Sequence, residues 1–123
     1  MQQKGEYFDE AEIYDIFAQV CLGVKHCHEN KVLHRDIKSQ NIFLTQTGLV
    51  KLGDFGASRI IELSRDLADT IIGTKYAMAP ELHSGEKYRF KSDIWSLGVL
   101  LQELATLVLP WVDPKTRELI DLI

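Results

Sequence analysis

The sequence predicts a mainly helical fold carrying one small β-hairpin, and three observations predict it. Apolar residues recur at Ile13, Ile16, Phe17, Val20, Val24 and Cys27 with the one-face helical period. A second stretch, with Ile94, Trp95, Leu97, Val99, Leu100, Leu101, Leu104 and Leu107, is apolar almost all the way round, which marks a helix buried at the centre of something. Between them, Asn41-Ile42-Phe43-Leu44 and Leu49-Val50-Lys51-Leu52 flank the four-residue loop Thr45-Gln46-Thr47-Gly48 and read as a hairpin.

The elements follow in order. Asp9 can cap the first helix, with Glu12 three residues on and Phe8 and Ile13 as a staple pair. Asn30 is a plausible left-handed stop. From residue 53 to about residue 91 no long period survives, and Gly, Ser, Thr and charges dominate. A segment of that length without structure of its own is more often functional than decorative. Ser92 is read as the cap of the apolar helix and Pro110 as its end, and Asp113-Pro114 opens another helix. The chain then stops at Ile123, within that helix.

Length and composition bound the function. The 123 residues fit one domain, with roughly two-thirds of its surface buried on size scaling. Apolar content of 46% and charged content of 26% are ordinary for a globular protein. The net charge of −4, with lysine and arginine scattered, argues against phosphate-backbone binding to nucleic acid. Cys21 and Cys27 would lie about 9 Å apart along a helix, too far for a disulfide, so reduced thiols and a cytoplasmic setting are expected. Met1 is followed by polar and charged residues, so no signal peptide is expected. The apolar run 94–109 is too short for a membrane span and includes Gln102 and Glu103.

Three short clusters carry the chemistry: His34-Arg35-Asp36-Ile37-Lys38-Ser39-Gln40-Asn41, Asp54-Phe55-Gly56 and Ala79-Pro80-Glu81. In a hairpin looped at residues 45–48, Asn41 pairs close to Leu52, so Asp54 emerges at the same open end. An amide oxygen and a carboxylate converge there, hard ligands suited to Mg²⁺ carrying phosphates. Asp36, five residues before Asn41, can bring a second carboxylate to the same place. A loop aspartate alone is usually a turn former or a solvated charge. The set, in this order and on this coarse structure, is a different matter.

In that order the clusters resemble the catalytic loop, the metal-binding triplet and the end of the activation segment of the eukaryotic protein-kinase superfamily. HRDIKSQNIFLT (34–45) and KLGDFG (51–56) look most like the NIMA-related serine/threonine kinases. The resemblance implies a kinase C-terminal lobe, a single partial domain over residues 1–123, that uses ATP and Mg²⁺ to phosphorylate serine or threonine of a protein substrate. It makes Asp36 the catalytic base, Lys38 the cation on the phosphoryl in transit, and Asn41 and Asp54 the metal holders. It also makes Thr74 a buttress of Asp36 and Lys38, stacks His34 with Phe55, and lets Asp93 anchor the loop backbone from the central helix. Thr70, in the segment that carries activating phosphorylation, is then a regulatory site, with Arg35 as the arginine for its phosphate. Family resemblance also admits an association with the cytoskeleton.

Departures from the family pattern temper this. No Gly-x-Gly-x-x-Gly and no Val-Ala-Ile-Lys-like lysine occurs, so the ATP-clamping N-terminal lobe is expected to be absent and this chain alone inactive. The arginine that usually pairs with Glu81 is also missing, and Lys75, Ala77 and Ala79 depart from the usual residues at the peptide-binding surface. The alternative is a non-catalytic fragment or pseudokinase-like binding module. Other residues read blandly: His26 and His28 lack further ligands at metal spacing, Trp111 is packing, and the basic run 87–91 is a solvated loop.

Overall fold

The computed structural model describes residues 7–53, the backbone of 59–60, and residues 77–108. Helix α1 (Glu10–Glu29) starts as its sequence predicts. The Asp9 carboxylate accepts from the Glu12 amide at 2.8 Å, and Glu12 Oε2 accepts from the Asp9 amide at 3.1 Å. Two of the four orphan amides at a helix start are thereby satisfied. The helix ends differently from expectation. Asn30 has φ −93°, and the left-handed residue is Lys31 at φ 60°. Asn30 instead closes the helix with its side chain, Nδ2 donating to the His26 carbonyl at 2.8 Å, so the reversal falls one residue later.

Strand β1 (Val32–Leu33) pairs antiparallel with β4 (Arg59–Ile60), a pairing that two-residue strands cannot announce by alternation. The hairpin is β2 (Ile42–Leu44) and β3 (Val50–Leu52), with Ile42 opposite Leu52 and Leu44 opposite Val50. Asn41 therefore faces Gly53 rather than Leu52, and its carbonyl accepts from the Gly53 amide at 2.8 Å. The loop is closed by Thr45, whose amide donates to the Leu49 carbonyl at 2.9 Å and whose hydroxyl accepts from the Leu49 amide.

Helix α2 (Pro80–His83) is one short turn with proline at its start. Helix α3 (Phe90–Thr106) begins two residues before Ser92, with Arg89 as its cap residue. Ser92 serves the start from inside the first turn, its Oγ accepting from the Arg89 amide at 3.1 Å. The end comes at Leu107, left-handed at φ 55°, before Pro110 is reached. The expected all-round burial of α3 is not found among the described residues. Ser92, Asp93, Ser96, Leu97, Val99 and Leu100 are buried, but Ile94 is 54% and Trp95 39% exposed. Leu97 and Leu100 pack with α1 and Ile37, while Ser92 and Ser96 donate to Glu81 Oε1 at 3.1 Å and the Ala77 carbonyl at 2.6 Å.

Two apolar clusters hold these elements. One joins Ile16, Val20 and Val24 of α1 to Ile37, Leu97 and Leu100. The other gathers Leu33, Ala79, Leu82 and Tyr88. The 34–41 loop lies where both clusters reach it. The Asp113-Pro114 helix and Trp111 fall outside the described residues.

Candidate active site

The 34–41 loop is held by a carboxylate with no solvent exposure at all. Asp93, in the first turn of α3, accepts from the His34 amide through Oδ2 and from the Arg35 amide through Oδ1, both at 3.0 Å. Tyr88 Oη donates to Oδ1 at 2.7 Å, and His28 Nε2 lies 2.8 Å from Oδ2. Four partners compensate the desolvation that a lone buried carboxylate could not bear. They also explain the backbone of Arg35, left-handed at φ 72°. That conformation costs a non-glycine residue roughly 1–2 kcal/mol, and it persists because amides on successive residues are clamped to one group.

His34 is fully buried and joins this loop to the hairpin. Its Nδ1 accepts from the Asp36 amide at 3.2 Å, so Nε2 carries the proton and donates to the Gly53 carbonyl at 2.8 Å. Gly53 suits its place because a Cβ there would lie 2.5 Å from the Phe43 ring. The residue before Asp54 is thus tied to both Asn41 and His34.

Within this frame three polar side chains meet. The Asn41 amide nitrogen donates to the Asp36 carbonyl at 2.6 Å and to its carboxylate Oδ2 at 3.2 Å. Lys38 Nζ stands 3.5 Å from the same Oδ2. Asn41 is buried, while Asp36 and Lys38 are half-buried and reachable from solvent. With its nitrogen committed to Asp36, Asn41 has its amide oxygen left as a ligand atom. Hard oxygen from Asn41, beside a carboxylate, fits a small divalent cation that keeps much of its shell as water and phosphate. Among the described residues no trio of His, Cys, Asp and Glu gathers as a metal site.

The structure therefore brings together His34, Asp36, Lys38, Asn41 and Asp93. Asp54, Phe55, Thr70 and Thr74 lie outside the described residues. Arg35 is buried, with its guanidinium carbon 5.8 Å from the centroid of the Tyr88 ring, a cation–π arrangement. Burial, then the Asp93 charge and the hydrogen bond to it, hold the Tyr88 phenol far above its usual range. Glu81 has a partner: Ser92 Oγ donates to its Oε1 at 3.1 Å.

Several contributors were not legible. His28 reads as a surface or core histidine, yet it reaches Asp93 across 65 positions and lies 4.7 Å, ring to ring, from Phe90. Tyr88 sits in a run read as solvated, and it is buried although Lys87, Arg89 and Lys91 around it are exposed. Gln19 fastens the hairpin to α1, Oε1 accepting from the Val50 amide at 2.8 Å and Nε2 donating to the Gly48 carbonyl at 3.1 Å. Phe43 is 54% exposed beside the cluster. The hint for Gln19 was its spacing of four from Asp15, another polar residue of α1, to which its side-chain amide donates at 3.3 Å.

Comparison with known sequences shows the family. The protein kinase domain family matches residues 1–122. Serine/threonine-protein kinase Nek1 of Mus musculus is 55% identical over 105 residues, 85% of this chain and 9% of that protein. Serine/threonine-protein kinase Nek3 of Mus musculus is 50% identical over 119 residues, 97% of this chain and 23% of that protein. Putative serine/threonine-protein kinase A of Trypanosoma brucei brucei is 50% identical over 107 residues, 85% of this chain and 25% of that protein. The chain spans at most about a quarter of the length of these relatives.

Proposed function

The chain belongs to the protein kinase family, and on that premise we propose that it is the catalytic, C-terminal lobe of a serine/threonine kinase of the NIMA-related group. Within a full-length kinase the lobe, residues 1–123, serves transfer of the γ-phosphoryl group of ATP to a serine or threonine hydroxyl of a protein substrate. The observation that carries the reading is the convergence of Asn41 and Lys38 on the Asp36 carboxylate. Asp36 accepts or orients the proton of the attacking hydroxyl, within reach because its side chain keeps 16% of its surface open to solvent. Lys38, on the same carboxylate, balances its charge and meets negative charge arriving on the phosphoryl oxygens. Thr74 is assigned to steady Asp36 and Lys38, and Asn41 with Asp54 to hold magnesium. Magnesium, when bound, supplies charge neutralisation across the phosphates. The exposed Phe43 ring offers an apolar face to a planar base beside them. A cytoplasmic setting is part of the same proposal.

Regulation is proposed through Thr70 and Arg35. Phosphate on Thr70 adds nearly two negative charges and three acceptor oxygens, and Arg35 is the planar partner whose backbone Asp93 already fixes. Thr70→Ala and Arg35→Ala should each lower activity, and the double variant should be little worse than either. Additive losses, or a fully active Thr70→Ala protein, would reject the switch.

The reading is tested by phosphate transfer from labelled ATP to a general protein acceptor, using full-length protein followed by phosphoamino-acid analysis. Label on serine and threonine, abolished by EDTA and restored by Mg²⁺, is expected. Absence of label from a folded, ATP-binding protein contradicts the assignment.

A further inference from the structure

We propose that Ser39 and Glu103 form a positioning pair that fixes the turn carrying Asn41 and so sets the site's affinity for its divalent cation, an inference that rests on the phosphoryl-transfer reading above. Asn41 ends a 3₁₀ turn of only three residues, Ser39–Asn41, which Lys38 precedes without a side-chain cap. Its backbone bonds run from the Asn41 amide to the Lys38 carbonyl at 3.0 Å and from the Ile42 amide to the Ser39 carbonyl. A single 3₁₀ turn has poor hydrogen-bond geometry and no cooperative length to steady it. The position of Asn41 must therefore come from tertiary anchors.

Two anchors act on Asn41 itself, its side-chain bond to Asp36 and the Gly53 amide on its carbonyl at 2.8 Å. A third acts on the start of the turn through Ser39, whose hydroxyl donates to Glu103 Oε1 at 2.7 Å, across 64 positions of sequence. A short bond to a carboxylate is of the charge-assisted kind. Both residues are half-buried and border a cavity of about 210 Å³ whose walls include Ile16, Ile42, Leu100 and Leu104. Apolar walls keep competing water partners few and strengthen the bond. Glu103 is itself placed by the closing turn of α3, its carbonyl accepting from the Leu107 amide at 2.7 Å.

Helix α3 thus grips the loop at both ends. Asp93 takes the amides of His34 and Arg35 at the front, and Glu103 takes the hydroxyl of Ser39 at the rear. Only the rear grip bears on the turn that presents the metal-holding amide.

The test uses full-length protein carrying Ser39→Ala, Glu103→Leu, Glu103→Gln, and the Ser39→Ala/Glu103→Leu double change. Amide hydrogen exchange is read at residues 38–42, and Mn²⁺ binding in the presence of ADP by electron paramagnetic resonance. Ser39→Ala and Glu103→Leu should each speed exchange at Asn41 and Ile42 and weaken Mn²⁺ binding by about tenfold. The KM for Mg²⁺ should rise more than kcat falls. Glu103→Gln keeps an acceptor oxygen and should stay within about threefold of wild type, and the double variant should be no worse than a single one. Wild-type exchange and metal affinity in the variants would overturn the pair. So would faster exchange spread equally over residues 48–52, which marks general loosening. Wild-type protein that binds no Mn²⁺ with ADP would overturn the kinase reading along with the pair, whereas normal wild-type binding with unaffected variants overturns the pair alone.

Discussion

Asp93 carries more of the site than any residue that faces solvent. Replacing it with alanine leaves the His34 and Arg35 amides and the Tyr88 hydroxyl without their acceptor. Buried donors left unsatisfied cost about 1–3 kcal/mol each, so Asp93→Ala should lower unfolding free energy by several kcal/mol in a urea titration. His28→Leu removes one partner only and should cost less. A loss below that of His28→Leu would show that the amides find other acceptors. The thiols give a second check at this scale. Burial raises the Cys21 thiol, and burial followed by the nearby Asp93 charge raises Cys27. Since the thiolate is the reactive form, iodoacetamide at pH 8 should modify both more slowly in folded than in urea-unfolded protein. Equal rates would place them in open solvent. The role of Asp93 was legible only through family resemblance. That of His28 was not, because a pairing across 65 positions leaves no local period.

The hairpin shows what an element owes to a neighbour. Gln19 meets the exposed backbone of β3 with a side-chain amide, accepting from Val50 and donating to the Gly48 carbonyl. Gln19→Ala should destabilise by about 1–2 kcal/mol, and exchange of the Val50 amide should rise with it. Gln19→Glu keeps the acceptor and loses the donor, so an intermediate value is expected. Protection of Val50 unchanged in Gln19→Ala would refute the tie. The hairpin itself was readable from two apolar runs and a glycine, to within one residue at each end. The start of α1 was readable because a capping box is a local pattern. Its exit was off by one residue, since Asn30 uses its side chain where a left-handed backbone was expected. The start of α3 was missed by three residues for a related reason: Ser92 caps from N3, and sequence cannot say on which side of a helix start a serine acts. Strand β4 and helix α2 were invisible, being too short to show any period.

At the scale of the molecule, helix α3 ties sequence-distant parts into one site: the loop through Asp93, α1 through His28, and the 3₁₀ turn through Glu103. The ATP side is a separate matter. The 123-residue polypeptide contains no glycine-rich phosphate loop. By itself it should therefore bind Mg-ATP more weakly than about millimolar, because metal ligands do not replace the backbone amides and lysine that hold phosphates in kinases. Micromolar affinity by calorimetry would contradict this. The central claim, that Asp36 does the proton work at a site built by Asn41, Lys38 and Asp93, has a more direct test. Asp36→Asn keeps the size of the side chain and an oxygen near Asn41 but removes the basic carboxylate. Its single-turnover phosphoryl-transfer rate in full-length protein should fall about 10²–10⁴-fold, with melting temperature and ATP affinity near those of wild type. Transfer at the wild-type rate, in a variant that folds and binds ATP normally, would contradict the account.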